Sequence, residues 1–165
     1  MTDAASRLTI RPATEEDVPK ILDFIRGLAA YEKLSHEVVA DESILRRHLF
    51  GPRPYAEVIF GCEGEIEVGF ALFFHNFSTF LGRPGIYLED LFVAPEFRGK
   101  GYGKALLCHL AKLAVERGCG RLDWAVLDWN TPAIDFYKAL GAEHMVEWQT
   151  FRLVGDPLRQ VADGV

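Results

Sequence analysis

Arg98-Gly99-Lys100-Gly101-Tyr102-Gly103-Lys104 is the stretch on which the reading of this chain turns. Just upstream, Ile86 to Val93 carries Ile, Tyr, Leu, Phe and Val and reads as a strand. Just downstream, Ala105, Leu106, Leu107, Leu110, Leu113 and Ala114 recur at helical spacing, so a long helix opens in the glycines and ends near Gly118. The first turn of a helix has N–H groups without intrahelical partners and carries partial positive charge. Glycine lets a phosphate approach that backbone without meeting a Cβ. With Arg98, Lys100 and Lys104 adding charge, a diphosphate fits here. A Rossmann fingerprint fits badly, because the third glycine follows the second by two residues rather than three and three strands in succession precede the motif. A Walker loop fails because no Lys-Ser/Thr pair follows the last glycine. On the motif alone, a glycine-containing loop without a ligand stays open.

Working outward, Leu8 to Arg11 reads as a short strand stopped by Pro12. Thr14 begins a helix, with Asp17 three residues on in the manner of a capping box. Val18, Ile21, Leu22, Ile25, Leu28 and Ala29 give that helix an apolar face to about Tyr31. Asp41 can cap a second helix bearing Ile44, Leu45, His48 and Leu49, which ends at residues 51–54. Tyr55 to Cys62 and Ile66 to Phe77 read as strands joined by a tight turn at Glu63-Gly64-Glu65. With Ile86 to Val93 they should form an antiparallel meander. After the long helix come a strand from Arg121 to Leu127, a short helix from Pro132 to Leu140 closed by Gly141, and a strand within Glu147 to Val154. The tail after Pro157 reads as frayed. The expected fold is α+β, a mixed and mostly antiparallel central sheet flanked by helices, in a single domain over residues 1–165 with its core at about 8–154. The strands on either side of the long helix should be parallel.

A length of 165 residues with 49% hydrophobic side chains is enough for a core without disulfides. The net charge of −6 argues against nucleic acid as a partner, since phosphate neutralisation needs a basic surface. Cys62, Cys108 and Cys119 show no zinc or disulfide spacing, so no metal is expected. The first twelve residues lack the pattern of a signal peptide, and no apolar run approaches ~20 residues. The expected location is cytoplasmic, with no membrane partner.

The motif residues Arg98 to Gly103 resemble the Arg/Gln-x-x-Gly-x-Gly/Ala signature of the GCN5-related N-acetyltransferase superfamily. Tyr87-Leu88-Glu89-Asp90-Leu91-Phe92-Val93 resembles the strand before that signature. Trp129-Asn130-Thr131-Pro132-Ala133-Ile134-Asp135-Phe136-Tyr137-Lys138, followed by Leu140-Gly141-Ala142, resembles the next block, and Ile10-Arg11-Pro12-Ala13-Thr14 resembles the family opening. The similarity spans about residues 8 to 154. The nearest branch is the diamine (spermidine/spermine) acetyltransferases, whose Tyr-Leu-Glu-Asp strand, Trp-Asn-x-Pro turn and early Tyr-Glu pair (here Tyr31-Glu32) are all present.

That resemblance implies acetyl-CoA as co-substrate, a small-molecule amine as acceptor, and a homodimer. It implies that Arg98, Gly99, Lys100, Gly101, Tyr102, Gly103 and Lys104 hold the pyrophosphate. The strand before the signature would be interrupted so that backbone groups of Leu91, Phe92 and Val93 meet the acetyl and pantetheine groups, and Asn130, Pro132, Ala133 and Tyr137 would complete the cofactor side. Asn130 could equally cap its helix.

Transfer from a thioester to an amine needs a proton acceptor, because an alkyl amine of pKa about 10.4 is almost wholly protonated at neutral pH. Glu89 is the candidate, acting through a water. Strand alternation would turn Asp90 to the opposite face unless a bulge intervenes. Tyr137 is the candidate acid for the leaving thiolate. A covalent route needs an activated cysteine, and none shows a partner. The resemblance suggests Tyr31, Glu32, Glu89, Asp90, Asp123 and Trp124 on the acceptor side. The expected reaction is direct transfer to a diamine or polyamine in a ternary complex. Thialysine, another amino acid or a protein N-terminus are alternatives, as is a non-catalytic acetyl-CoA-binding regulatory module.

Overall fold

The computed structural model describes residues 8–164; the chain divides into two compact units, Met1–Leu127 and Asp128–Val165. The first unit is built on a five-stranded sheet in the order β1 (Leu8–Pro12), β2 (Glu57–Glu63), β3 (Ile66–Ser78), β4 (Arg83–Val93) and β5 (Leu122–Trp124). The first four strands pair antiparallel, and β5 lies parallel to β4. The parallel pair follows from the crossover helix between them, as a strand–helix–strand unit requires. Gly64 takes a φ of 65° and closes the β2–β3 hairpin.

Helices α1 (Val18–Tyr31) and α2 (Glu42–Phe50) lie on one face of the sheet. Their Val18, Ile21, Leu22, Phe24, Leu45 and Leu49 pack with Val58, Phe60, Cys62, Phe70 and Phe92 in one buried cluster. Helix α3 (Tyr102–Glu116) buries Leu106, Leu107, Leu110 and Ala114, and it contacts β4 and β3 from the sheet's other side, where Ala71, Phe73, Ile86 and Leu88 are buried. The helices form where the 3.6-residue stripe was read, but α1 starts later than Thr14. Residues Glu15–Asp17 make a 3-10 turn first, and the Asp17 carboxylate accepts from the Thr14 N–H at 2.7 Å. Asp17 also takes a forked bond from Arg11, whose second branch reaches Glu67 at 2.7 Å. This explains the Arg of the opening segment: it ties β1, the start of α1 and β3 together. The Asp41 side chain caps α2 by accepting from Ile44 N–H at 2.8 Å.

The second unit holds α4 (Thr131–Ala139) and α5 (Gly155–Ala162). Two expectations are corrected in it. The stretch 147–154 is not a strand, and the described residues of this unit contain no second strand with which it could form a ladder. The segment from Gly155 is helical rather than frayed. Pro157 falls in the first turn of α5, where its missing N–H costs nothing, and Asp156 pairs with Arg159 at 2.6 Å.

Candidate active site

Helix α3 starts at a glycine pair. Gly99 and Gly101 take φ of 77° and 80°, the left-handed region open to glycine at little cost. Gly101 is the N-cap of α3, and no side chain caps that helix. A Cβ built on either residue meets nothing within 4 Å, so both face open space. The N–H groups of the first turn therefore border open space with no Cβ in the way, the kind of site that accepts an anion. Gly103 lies within α3, where a Cβ would make only ordinary contact with Leu91 and Val93, at 3.7 and 3.9 Å.

The flanking cations are engaged elsewhere in part. Lys100 reaches Glu63 on the β2–β3 hairpin at 3.2 Å and lies over the Phe97 ring. Arg98 donates from Nε to the Val93 carbonyl at 3.0 Å, and its guanidinium lies 4.8 Å from the Tyr31 ring centroid and 5.5 Å from that of Phe92. Lys104 is exposed. The backbone of the turn, more than its side-chain charge, is what fits a diphosphate.

Strand β4 is interrupted where the two carboxylates lie. Leu72 pairs with Asp90 and Phe73 with Leu88, so Glu89 is the extra residue of a β-bulge. The bulge resets the alternation. Phe92, Asp90 and Tyr87 are in register with Phe70, Leu72 and Phe74 on the α1 face, whereas Leu88 is in register with Phe73 on the α3 face. Simple alternation would have put Asp90 with Leu88. A bulge does intervene, and it turns Asp90 to the face opposite Leu88.

Asp90 is half-buried, and its carboxyl is pushed up to about 6 by burial first, then by the charges of Glu89 and Glu32. Burial likewise raises Glu32 above the ordinary carboxylate range. Glu89 itself is exposed. Glu32 is the C-cap of α1, followed by Lys33 at a φ of 63°. The Lys33 and Leu34 N–H groups return to the carbonyls of Ala30 and Ala29 at 3.2 and 2.8 Å, the closure of a Schellman motif. Three carboxylates, Glu32, Glu89 and Asp90, are thereby close enough to repel. Like charges held in a partly desolvated site are costly unless a cation joins them.

Asp90 therefore lowers stability when it is ionised. An acid whose folded-state pKa is raised holds its proton more tightly when folded, so stability falls as pH rises from about 4 through about 6. Asp90→Asn is expected to gain about 1–2 kcal/mol at pH 8 and nothing near pH 3.5. Chemical denaturation at both pH values checks this.

Asp123 is otherwise engaged. Its Oδ2 accepts from Asn76 Nδ2 at 3.1 Å and from Arg121 Nε at 2.9 Å, which neutralises it locally. Trp124, half-buried, ends β5 opposite Leu88. In the second unit, Asn130 caps α4, its side chain accepting from Ala133 N–H at 3.4 Å, and Pro132 sits in the first turn. Tyr137 is half-buried, with Phe136 at 5.5 Å between ring centroids. Its carbonyl accepts from Ala142 N–H at 3.1 Å beyond Gly141, whose φ is 87°. Leu91 and Val93 are half-buried on the α3 side of β4, and Phe92 is buried against Phe24.

Three contributors escaped the sequence reading. Gly27 sits in the interior of α1, where a Cβ would come within 2.8 Å of Phe92 Cζ, and Gly69 meets the Phe92 carbonyl in the same way at 2.5 Å. A glycine inside a strong helical stripe was the available signal, because it weakens a helix by ~1 kcal/mol unless something needs the space. The third is Glu63, the partner of Lys100. Among the described residues, no His/Cys/Asp/Glu group could hold a metal ion, and no helix is long and apolar enough to cross a membrane.

Comparison with known proteins gives the same reading as this geometry. The chain is 43% identical to the thialysine N-epsilon-acetyltransferase of Bos taurus, covering 93% of this chain and 96% of that one. It is 29% identical to the human spermidine/spermine N(1)-acetyltransferase-like protein 1, over 93% of this chain but 23% of that longer one. Among solved structures, an integron cassette protein from V. cholerae superposes with a TM-score of 0.81 at 28% identity, covering 96% of this chain and 99% of that chain. The acetyltransferase (GNAT) family model matches residues 26–142, which contain the phosphate-type turn, the bulged strand and α4, and the chain belongs to that family of acetyltransferases.

Proposed function

We propose that this chain transfers acetyl from acetyl-CoA directly to the side-chain primary amine of a thialysine-type amino acid. The observation that carries the proposal is the carboxylate group Glu32, Glu89 and Asp90 at the β4 bulge, in the same unit as the glycine turn. An acceptor bearing a second ammonium group would relieve the repulsion among these acids. The 43% identity to a thialysine enzyme over nearly the whole chain favours the amino acid over the polyamine. The acid group supports a polyamine as the second reading.

In this reading the backbone of residues 99–104 holds the pyrophosphate. Glu89, exposed on the bulge, takes the proton of the acceptor ammonium through water, and Asp90 and Glu32 hold the second charge. Tyr137 supplies the proton to the leaving thiolate, and residues 1–165 act as one catalytic domain. A regulatory module that only senses acetyl-CoA would have no use for carboxylates held at such electrostatic cost.

Thiol release from acetyl-CoA, followed with thialysine, ornithine, spermidine and a simple alkylamine, tests the assignment. Thialysine is expected to have the highest kcat/KM. Spermidine ahead of both amino acids would overturn the choice of acceptor. Glu32→Gln should raise KM for the acceptors bearing a second ammonium group by about two- to tenfold while leaving the simple alkylamine unchanged. Added salt should shrink the difference, since partly exposed charges are screened. An equal rise for all amines would remove Glu32 from the acceptor site.

A further inference from the structure

We infer that Arg98, the first residue of the glycine turn, is a positioning residue for the acceptor side and sets the place of Glu32 through the ring of Tyr31. The inference rests on the acceptor reading given above and adds a residue to it. Three observations carry it. The Arg98 side chain is anchored by its Nε to the Val93 carbonyl at 3.0 Å, which fixes it to the end of β4. Its guanidinium then lies against two rings, Tyr31 at 4.8 Å and Phe92 at 5.5 Å. Tyr31 is the last residue of α1, and the next residue is Glu32, whose charge is felt at Asp90.

The guanidinium thus spans the gap between the turn that would hold the donor and the helix end that carries an acceptor-side acid. Cation–ring contacts of this kind are attractive and directional. These contacts lie at the exposed end of α1, with Tyr31 at 42% accessibility, and add to the packing of Leu28 and Ala29 there. Phe92 contributes from below. It is buried against Phe24 of α1 and needs Gly27 to fit, so the same ring that supports Arg98 also sets the height of α1 over β4. Arg98 gives up little by this use, because the backbone of Gly99 and Gly101 already provides the anion cradle. The expected role of Arg98 as a direct pyrophosphate ligand becomes the competing account.

Arg98→Gln and Tyr31→Leu, made singly and together, separate the two accounts. Acceptor KM and kcat are measured at saturating acetyl-CoA, and acetyl-CoA Kd is measured by calorimetry. Each single variant should raise KM for the doubly charged acceptor by roughly two- to fivefold, the range expected for loss of an exposed cation–ring contact. Acetyl-CoA Kd should not change measurably, and the double variant should be less than additive, because the two substitutions share the contact between Arg98 and the Tyr31 ring. Arg98→Lys, which keeps a cation over the ring, should recover part of the loss. A rise in acetyl-CoA Kd exceeding the rise in acceptor KM in Arg98→Gln would overturn the inference in favour of a phosphate contact. So would additive effects of the two substitutions. Should Arg98→Gln fail to fold, Tyr31→Leu at its exposed position carries the test, and an unchanged acceptor KM there overturns the inference. Failure of the acceptor reading itself shows in the wild-type enzyme, as absent turnover of charged amines, before any variant is made.

Discussion

Gly101→Val is expected to weaken acetyl-CoA binding by about a hundredfold or more, ~2.7 kcal/mol, with the fold intact. Gly101 caps α3 at a φ of 80°, where a side chain is strained by about 1–2 kcal/mol, and the new Cβ would project into the space in front of the turn rather than into the protein. The strain by itself is a local cost to stability. The affinity loss comes from blocking the approach of a phosphate to the N–H groups of the first helical turn. Gly82→Val separates the two effects. Gly82 also has a positive φ, of 62°, and nothing within 4 Å of its Cβ, but it lies at the β3–β4 hairpin. It should lose similar stability and no affinity. Gly103→Val tests the next residues of the helix start without the left-handed strain, its Cβ directed toward Leu91 and Val93. Calorimetry on folded variants decides the matter, and unchanged affinity in both Gly101→Val and Gly103→Val would remove the turn as the pyrophosphate site.

Tyr137→Phe is expected to lower kcat by about 10²–10⁴-fold, the range for loss of a general acid. The ring should stay where it is. Its neighbour Phe136 and the carbonyl bond to Ala142 N–H are both independent of the hydroxyl. Acetyl-CoA affinity should change by less than about threefold, because one hydroxyl is a small part of the contact with so large a ligand. Single-turnover kinetics isolate the chemical step. A near-normal rate in that regime would end the role assigned to Tyr137.

The sheet and helices of the first unit were legible because each is written in a local pattern. Apolar residues at helical spacing gave α1, α2 and α3, and the Glu63-Gly64-Glu65 turn gave the β2–β3 hairpin. What was not legible depended on partners distant in sequence. The resemblance implied an interruption of the strand before the signature, but nothing in Tyr87-Leu88-Glu89-Asp90 itself places the bulge, because a bulge is a property of the pair, set by how Leu72 and Phe73 register with Asp90 and Leu88. The re-aiming of Asp90 could not be read for the same reason. The cations of the glycine turn were read as ligand charges, yet Lys100 and Arg98 are drawn to Glu63 and Tyr31, 37 and 67 residues away in the chain. Asp123 reads as an acceptor-side acid until Arg121 and Asn76 are seen to hold it. The stretch 147–154 reads as a strand, but the described residues of its unit offer it no ladder partner.

The bulge and its three acids make a specific demand on the acceptor, and one comparison tests it most directly. Wild-type kcat/KM is measured at pH 8 and saturating acetyl-CoA for two primary amines of equal chain length, one bearing a second ammonium group and one without it. The account predicts that the doubly charged amine is preferred by about tenfold or more, ~1.4 kcal/mol, and that the preference falls as the pH is lowered through 6 and Asp90 takes up a proton. Equal kcat/KM for the two amines would contradict it, leaving an acetyltransferase whose acids do not read the acceptor's charge.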